Sequence, residues 1–232
     1  MYLQKYLSGN EQEVWNDIEA FQIESLSPHE LEDIEEVCRE TINRVKENIY
    51  RIITRLERNG YDFSKFPDGE EHFFVRGLED PDSDVEDKIV NLESIAGNLP
   101  LTVKAFWRYI GSVSLVGFKD VWDEYSDPLF VASVDDNIEV IEEWQEFRKE
   151  CEEHSDDPYM LFVSPDEDQK DGYDGDQYYN IELPCTSVDG FIRNAPSETT
   201  FIDYLREAFE AKGFPGLEEV PEFLKDLELL PI

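Results

Sequence analysis

Between Leu31 and Leu56 the apolar residues fall at steps of three or four: Leu31, Ile34, Cys38, Ile42, Val45, Ile49, Ile52 and Leu56. That spacing puts them on one face of a helix. Ser27, Pro28 and Glu30 supply an N-cap, a proline at the first helical position and a capping box, and Gly60 supplies a stop, so a long helix is predicted over about 28–59. A shorter helix precedes it from Glu11 to Glu24, with Val14, Trp15, Ile18 and Phe21 on one side, and the two make a helical hairpin. The next segment, 61–87, is dominated by turn and acidic residues and is the best place for a domain boundary, with His72–Val75 as a short strand inside it.

A second pattern begins at Val85. Val85, Ile89, Leu92, Ile95 and Ala96 mark a helix stopped by Gly97 and Asn98, and Leu99-Pro100 opens another whose Val103, Phe106, Trp107 and Ile110 face the core. Four short runs rich in β-branched and aromatic residues then read as strands: 112–118, 128–134, 159–164 and 178–183. A helix over 138–153 lies between the second and third, and a closing helix over 200–212 carries Phe201, Tyr204, Leu205 and Phe209 on one side. The expectation is an α+β fold: a helical N-terminal hairpin over 1–80, then a domain over 81–232 with a mostly antiparallel sheet flanked by helices.

Charge changes this picture most. The 232 residues hold 56 acids and 20 lysines and arginines, a formal net charge of −36. Such a chain repels nucleic acid and anionic lipid, which need basic groups to displace counterions, and favours a basic partner. The hydrophobic fraction of 40% argues against disorder. One segment runs against the trend: over 39–58 there are six basic residues and three acidic ones. Solvated helix charges account for it simply; docking on acidic surface, within one chain or between two, is the alternative.

Candidate chemistry is sparse. Cys38, Cys151 and Cys185 are odd in number and widely spaced, which fits a reducing compartment, and neither a signal-peptide pattern nor an apolar run of spanning length is visible, so a cytoplasmic location is expected. His154 follows Cys151, but no second pair completes a zinc site. No Walker A loop, dinucleotide fingerprint or G-x-S-x-G elbow occurs. The run from Asp166 to Asp176 fails the EF-hand pattern, because Lys170 and Asp171 stand where an acid and a glycine are required; a looser calcium site stays open beside a plain acidic hairpin loop. No catalytic residue, cofactor or metal is assigned. A hydrolase would need a deep pocket with a strongly shifted acid.

The order of motifs over about 85–217 resembles the SMI1/KNR4 family, part of the wider SUKH group of bacterial toxin-immunity proteins. The residues that carry it are Gly97-Asn98-Leu99-Pro100 followed by Val103 to Phe106, Gly111-Ser112-Val113, Asp127-Pro128-Leu129, Ser164-Pro165-Asp166, Thr200 to Arg206, and Gly213 to Leu217. A single Gly111 stands where the family often has two glycines, and the first 80 residues lie outside the match. The resemblance implies a non-catalytic, immunity-type protein that binds and neutralises a partner, often a toxin nuclease. With the acidic balance it points to a basic protein partner met by two segments: Asp120, Trp122, Asp123 and Glu124 in one, and Asp166, Asp168, Asp171, Asp174, Asp176 and Tyr178 in or beside the other. Trp122 reads more readily as a loop aromatic folded back on the core than as an interface anchor. The competing expectation is a scaffold that self-associates as a homo-oligomer through its N-terminal helices.

Overall fold

A computed structural model describes residues 1–66, 77–119, 126–151, 154, 156–175 and 177–232. Among these the chain is α+β. It opens with α1 (Tyr2–Leu7), α2 (Glu11–Ile18) and the long α3 (Pro28–Arg58). The capping box forms as expected: the Glu30 amide donates to Ser27 Oγ at 3.3 Å, and the Ser27 amide donates to Glu30 Oε2 at 2.9 Å. Asn59 caps the C-terminus, and Gly60 follows at φ +75°, a left-handed turn that glycine adopts without strain. The second helix is shorter than the sequence pattern suggests, ending at Ile18, with a 3-10 turn at Ile23–Ser25. The first helix, with its buried Tyr6, lies where the pattern marks no element.

The first sheet is antiparallel, β1 (Gly77–Glu79), β2 (Ser112–Ser114) and β3 (Phe130–Val131), with β2 central. Two predicted strands shrink here. Only 112–114 of the first is laddered, although Phe118 further on bridges to Asp62 through a pair of 2.9 Å backbone bonds. The second loses Val134 to α6 (Val134–Glu150), which starts a turn earlier than expected because Ser133 and Asp136 make a second capping box. The second sheet runs β4 (Tyr159–Ser164), β5 (Tyr179–Leu183), β6 (Phe191–Arg193), β7 (Thr199–Thr200), all antiparallel. Leu161, Ile181 and Ile192 align across it and are all buried, because β-strand side chains alternate between faces. The Ala132 amide donates to the Val163 carbonyl at 2.9 Å and joins the two sheets.

The remaining helices are α4 (Val85–Ala96), α5 (Leu101–Tyr109), α7 (Glu167–Lys170), α8 (Phe201–Glu210) and α9 (Glu222–Lys225). One contiguous core takes in Trp15, the α3 stripe, Phe106 and Trp107 of α5, Leu161 and Ile181 of the sheet, and Phe201, Leu205 and Phe209 of α8. Residues before and after position 80 thus share it. The Trp107 indole donates to the Ala132 carbonyl at 2.9 Å, so this aromatic is a core residue, as its helical position predicts.

The basic stretch of α3 has a specific use. Arg44, Arg51 and Arg55 donate to the backbone carbonyls of Pro231, Glu228 and Phe223 at 3.0, 2.9 and 2.7 Å. The buried Asn48 amide donates to the Leu230 carbonyl at 2.9 Å and accepts from the Leu230 amide at 2.7 Å. The C-terminal segment is therefore strapped along this helix by its main chain. Docking within one chain describes Arg44, Arg51 and Arg55, whereas Arg39 and Arg58 are exposed helix charges.

Candidate functional site

The second acidic segment joins the antiparallel strands β4 and β5, as a hairpin loop would, and folds within that connection as α7 and the turn after it. Asp166 caps α7: its Oδ1 accepts from the Gln169 amide at 2.9 Å and its Oδ2 from the Gln177 amide at 2.9 Å. Both oxygens are occupied in shaping the loop. Asp171 is only 3% exposed and so is not part of an acidic surface. Asp168 is half-buried, while Asp174 and Tyr178 are exposed. Asp120, Trp122, Asp123, Glu124 and Asp176 lie outside the described residues, as does His72.

Behind α7 sits a buried polar cluster. Lys170, fully buried, pairs with Asp127 at 2.5 Å and lies 4.7 Å from the centre of the Tyr179 ring. Burial opposes its charge, but the Tyr204 hydroxyl, Asp127 and Asp171 together outweigh that and hold the ammonium above its ordinary range. Neither oxygen of Asp171 has a hydrogen-bond partner, and burial pushes its carboxyl up to about 7, with Asp127 adding to the rise and the Ser126 backbone opposing it. The Tyr179 phenol is likewise buried without a partner, and burial raises it. Through Asp127, the Lys170 pair ties the residues that follow the first acidic segment to the second. A lone lysine within an acidic run was the sequence sign of this tie.

In front of α7 lies an open groove of about 980 Å³. Helix α6 contributes Asp136, Val140, Glu143, Trp144 and Phe147 to its lining; the sheets contribute Phe130, Met160, Phe162 and Asn180; the α7 segment contributes Pro165, Gln169, Gly172, Tyr173 and Tyr178; Phe66 completes it. Phe130 belongs to a small second core with Val116 and Ala132, against which Phe66 and Phe162 pack. Gly172, at φ +91°, brings the backbone so close to Phe66 that a β-carbon would sit 3.1 Å from its ring.

The groove's aromatic rings touch one another. Trp144 stacks on Phe147 at 5.1 Å between centroids, Phe147 meets His154 at 5.4 Å, and Phe162 meets Tyr178 edge-on at 5.0 Å. Val140, Phe147, Tyr173 and Tyr178 are nonetheless 39–59% exposed. No lysine or arginine lines the groove among the described residues, whereas Asp136 and Glu143 do. His154 is in contact with Asp157, Nδ1 to Oδ2 at 2.8 Å, and no three His, Cys, Asp or Glu side chains are placed to share a metal ion among the described residues.

Of the expected partner-binding residues, only Tyr178 lines the groove among those described. The α6 residues were missed, although their signal is present. Val140, Trp144 and Phe147 make an apolar stripe separate from the core-facing Ile138 and Ile141, and a helix with two such stripes has more apolar face than one core needs. Asp189 is the other buried, raised carboxyl among the described residues, pushed to about 6 by burial; it accepts from Thr102 Oγ1 at 2.7 Å and from the Ile202 amide at 3.1 Å, a structural task at the start of α8. Neither Asp171 nor Asp189 lines the groove.

Compared with known proteins, the chain matches no family model, no curated protein and no solved structure. No helix of the described residues is long and apolar enough to cross a membrane.

Proposed function

We propose that this is a non-catalytic, acidic binding protein of immunity type. Its docking surface is the aromatic groove beside α6, and its partner is a basic protein such as a toxin nuclease. The observation that carries the reading is the groove itself: exposed aromatic and aliphatic side chains, bordered by carboxylates and without a cation among the described lining residues. Exposed clustered apolar surface marks interaction sites, and aromatic residues dominate binding energy at interfaces. The net charge of −36 would steer a basic partner toward it and make association sensitive to salt. The resemblance of 85–217 to the SMI1/KNR4 family supplies the immunity role, and the cysteine usage supports a cytoplasmic setting. The raised carboxyls stand apart from the groove, which favours binding over acid-base chemistry.

The test compares the full chain with a Phe147→Ala/Tyr173→Ala/Tyr178→Ala variant as bait at low salt. A basic protein retained by the parent, released by salt and lost by the variant supports the reading. Retention of the same proteins by both overturns it. The second reading, a self-associating scaffold, predicts a concentration-dependent increase in mass by sedimentation. The C-terminal strap argues against free use of Arg44, Arg51 and Arg55 of α3 for that purpose, because it already engages them.

A further inference from the structure

The groove has a feature that narrows its ligand. On α6, Asp136, Val140, Glu143 and Phe147 follow at steps of four, three and four, so they share one helical face, with Trp144 beside Glu143. The Asp136 carboxylate is engaged in the capping box through Oδ2. Glu143 is exposed, lines the groove and makes no hydrogen bond or ion pair among the described residues. A free carboxylate beside a stacked indole and phenyl pair, in a groove with Tyr173 and Tyr178, is a setting for a planar cation. Arginine satisfies all of it: its guanidinium stacks on aromatic faces, pairs with a carboxylate through two parallel bonds, and sheds water more readily than an ammonium.

We infer that the groove seats an arginine side chain of the partner protein, its guanidinium stacked against the Trp144 and Phe147 rings and paired with Glu143. The inference rests on the docking reading above and adds the chemistry of the anchor. It also separates two roles of the acidic surface: most carboxylates set the long-range field, and Glu143 makes a contact.

The experiment titrates the full chain at low ionic strength with a five-residue blocked peptide, Gly-Leu-Arg-Leu-Gly, and with its citrulline counterpart, which keeps the shape and removes the charge. Binding is followed by calorimetry. The expected result is about tenfold tighter binding of the arginine peptide, lost in Glu143→Gln. Circular dichroism confirms that the variants remain folded. Equal binding of both peptides, with both lost in Phe147→Ala, overturns the arginine anchor while leaving the groove a docking surface. Arginine amide alone binding as tightly as the peptide overturns a protein-borne anchor in favour of a small cation. Absence of binding by either peptide, or binding indifferent to Glu143→Gln and Phe147→Ala, also overturns the inference; the docking reading is then judged by its own bait experiment.

Discussion

Helices α3 and α6 are both amphipathic and both charged, yet they end in opposite situations. The apolar stripe of α3 is buried, and Arg44, Arg51 and Arg55 are tied to the C-terminal segment through carbonyls of residues 223–231. Helix α6 gives only Val134, Asn137 and Ile141 to the interior and leaves Val140 and Phe147 near 40% exposed in the groove. The difference teaches where to look for function in a chain so rich in charge. Polar groups satisfied within the fold explain stability; apolar groups left outside it, next to a free carboxylate, are where the docking proposal is placed.

The sharpest way to break this comparison is to cut into α3. Ile49 is fully buried, so Ile49→Ala should cost about 2–5 kcal/mol in urea unfolding through lost transfer energy and the cavity left behind. Phe147→Ala, on α6, should cost only about 0.5–1.5 kcal/mol, the worth of its ring pair with Trp144. A comparable loss from both would show that the α6 face is structural.

The buried carboxyls predict a pH effect of similar or smaller size. Asp171 and Asp189 have folded pKa values raised from an ordinary 3.8 to about 7 and about 6. The folded chain therefore holds protons that the unfolded chain has released. Their contribution to stability is complete below about pH 4 and is lost as pH rises, through about 6 for Asp189 and about 7 for Asp171. Asp171→Asn removes one of these terms. Relative to the parent it should gain stability between pH 5 and 7.5, by an amount on the order of a few kcal/mol. Denaturant melts at both pH values check this, and a gap between the two proteins that does not change with pH would show that Asp171 finds a partner.

A smaller effect is expected at the strap. Asn48 makes two hydrogen bonds to Leu230, so Asn48→Ala leaves part-buried backbone groups without their partner and should cost about 1–2 kcal/mol. It should also speed proteolysis near 226–230 without altering groove binding. The smallest stability change is expected for Glu143→Gln, near zero in melts, with its whole effect in the binding of a cationic ligand.

Much of the fold was legible in the residues. The capping box at Ser27 and Glu30, the three-four periodicity of α3 and the glycine stop were readable because they are local: the groups that satisfy each other lie within a few positions. The same holds for α4, α5, α8 and the alternation of Tyr179, Ile181 and Leu183 in β5. Strand length was not, because a strand extends only as far as its neighbour pairs with it, which is why 112–118 and 128–134 shortened to three and two laddered residues. The acidic segment 166–176 shows the same limit in the candidate site. Composition marked it as surface, but Lys170 and Asp127, 43 positions apart, pull part of it inside and bury Asp171 with it.

What the sequence determined by itself is therefore the α+β class, the main helices and a strongly negative net charge. Each depends on neighbours in the chain or on a sum over it. Only the tertiary structure decided that Arg44, Arg51 and Arg55 of α3 hold the C-terminal strap. It also decided that Lys170 is buried while Tyr178 stays out, and that the second apolar stripe of α6 faces a groove. These outcomes depend on which distant segments meet, and a side chain's free energy is set by the partner that reaches it.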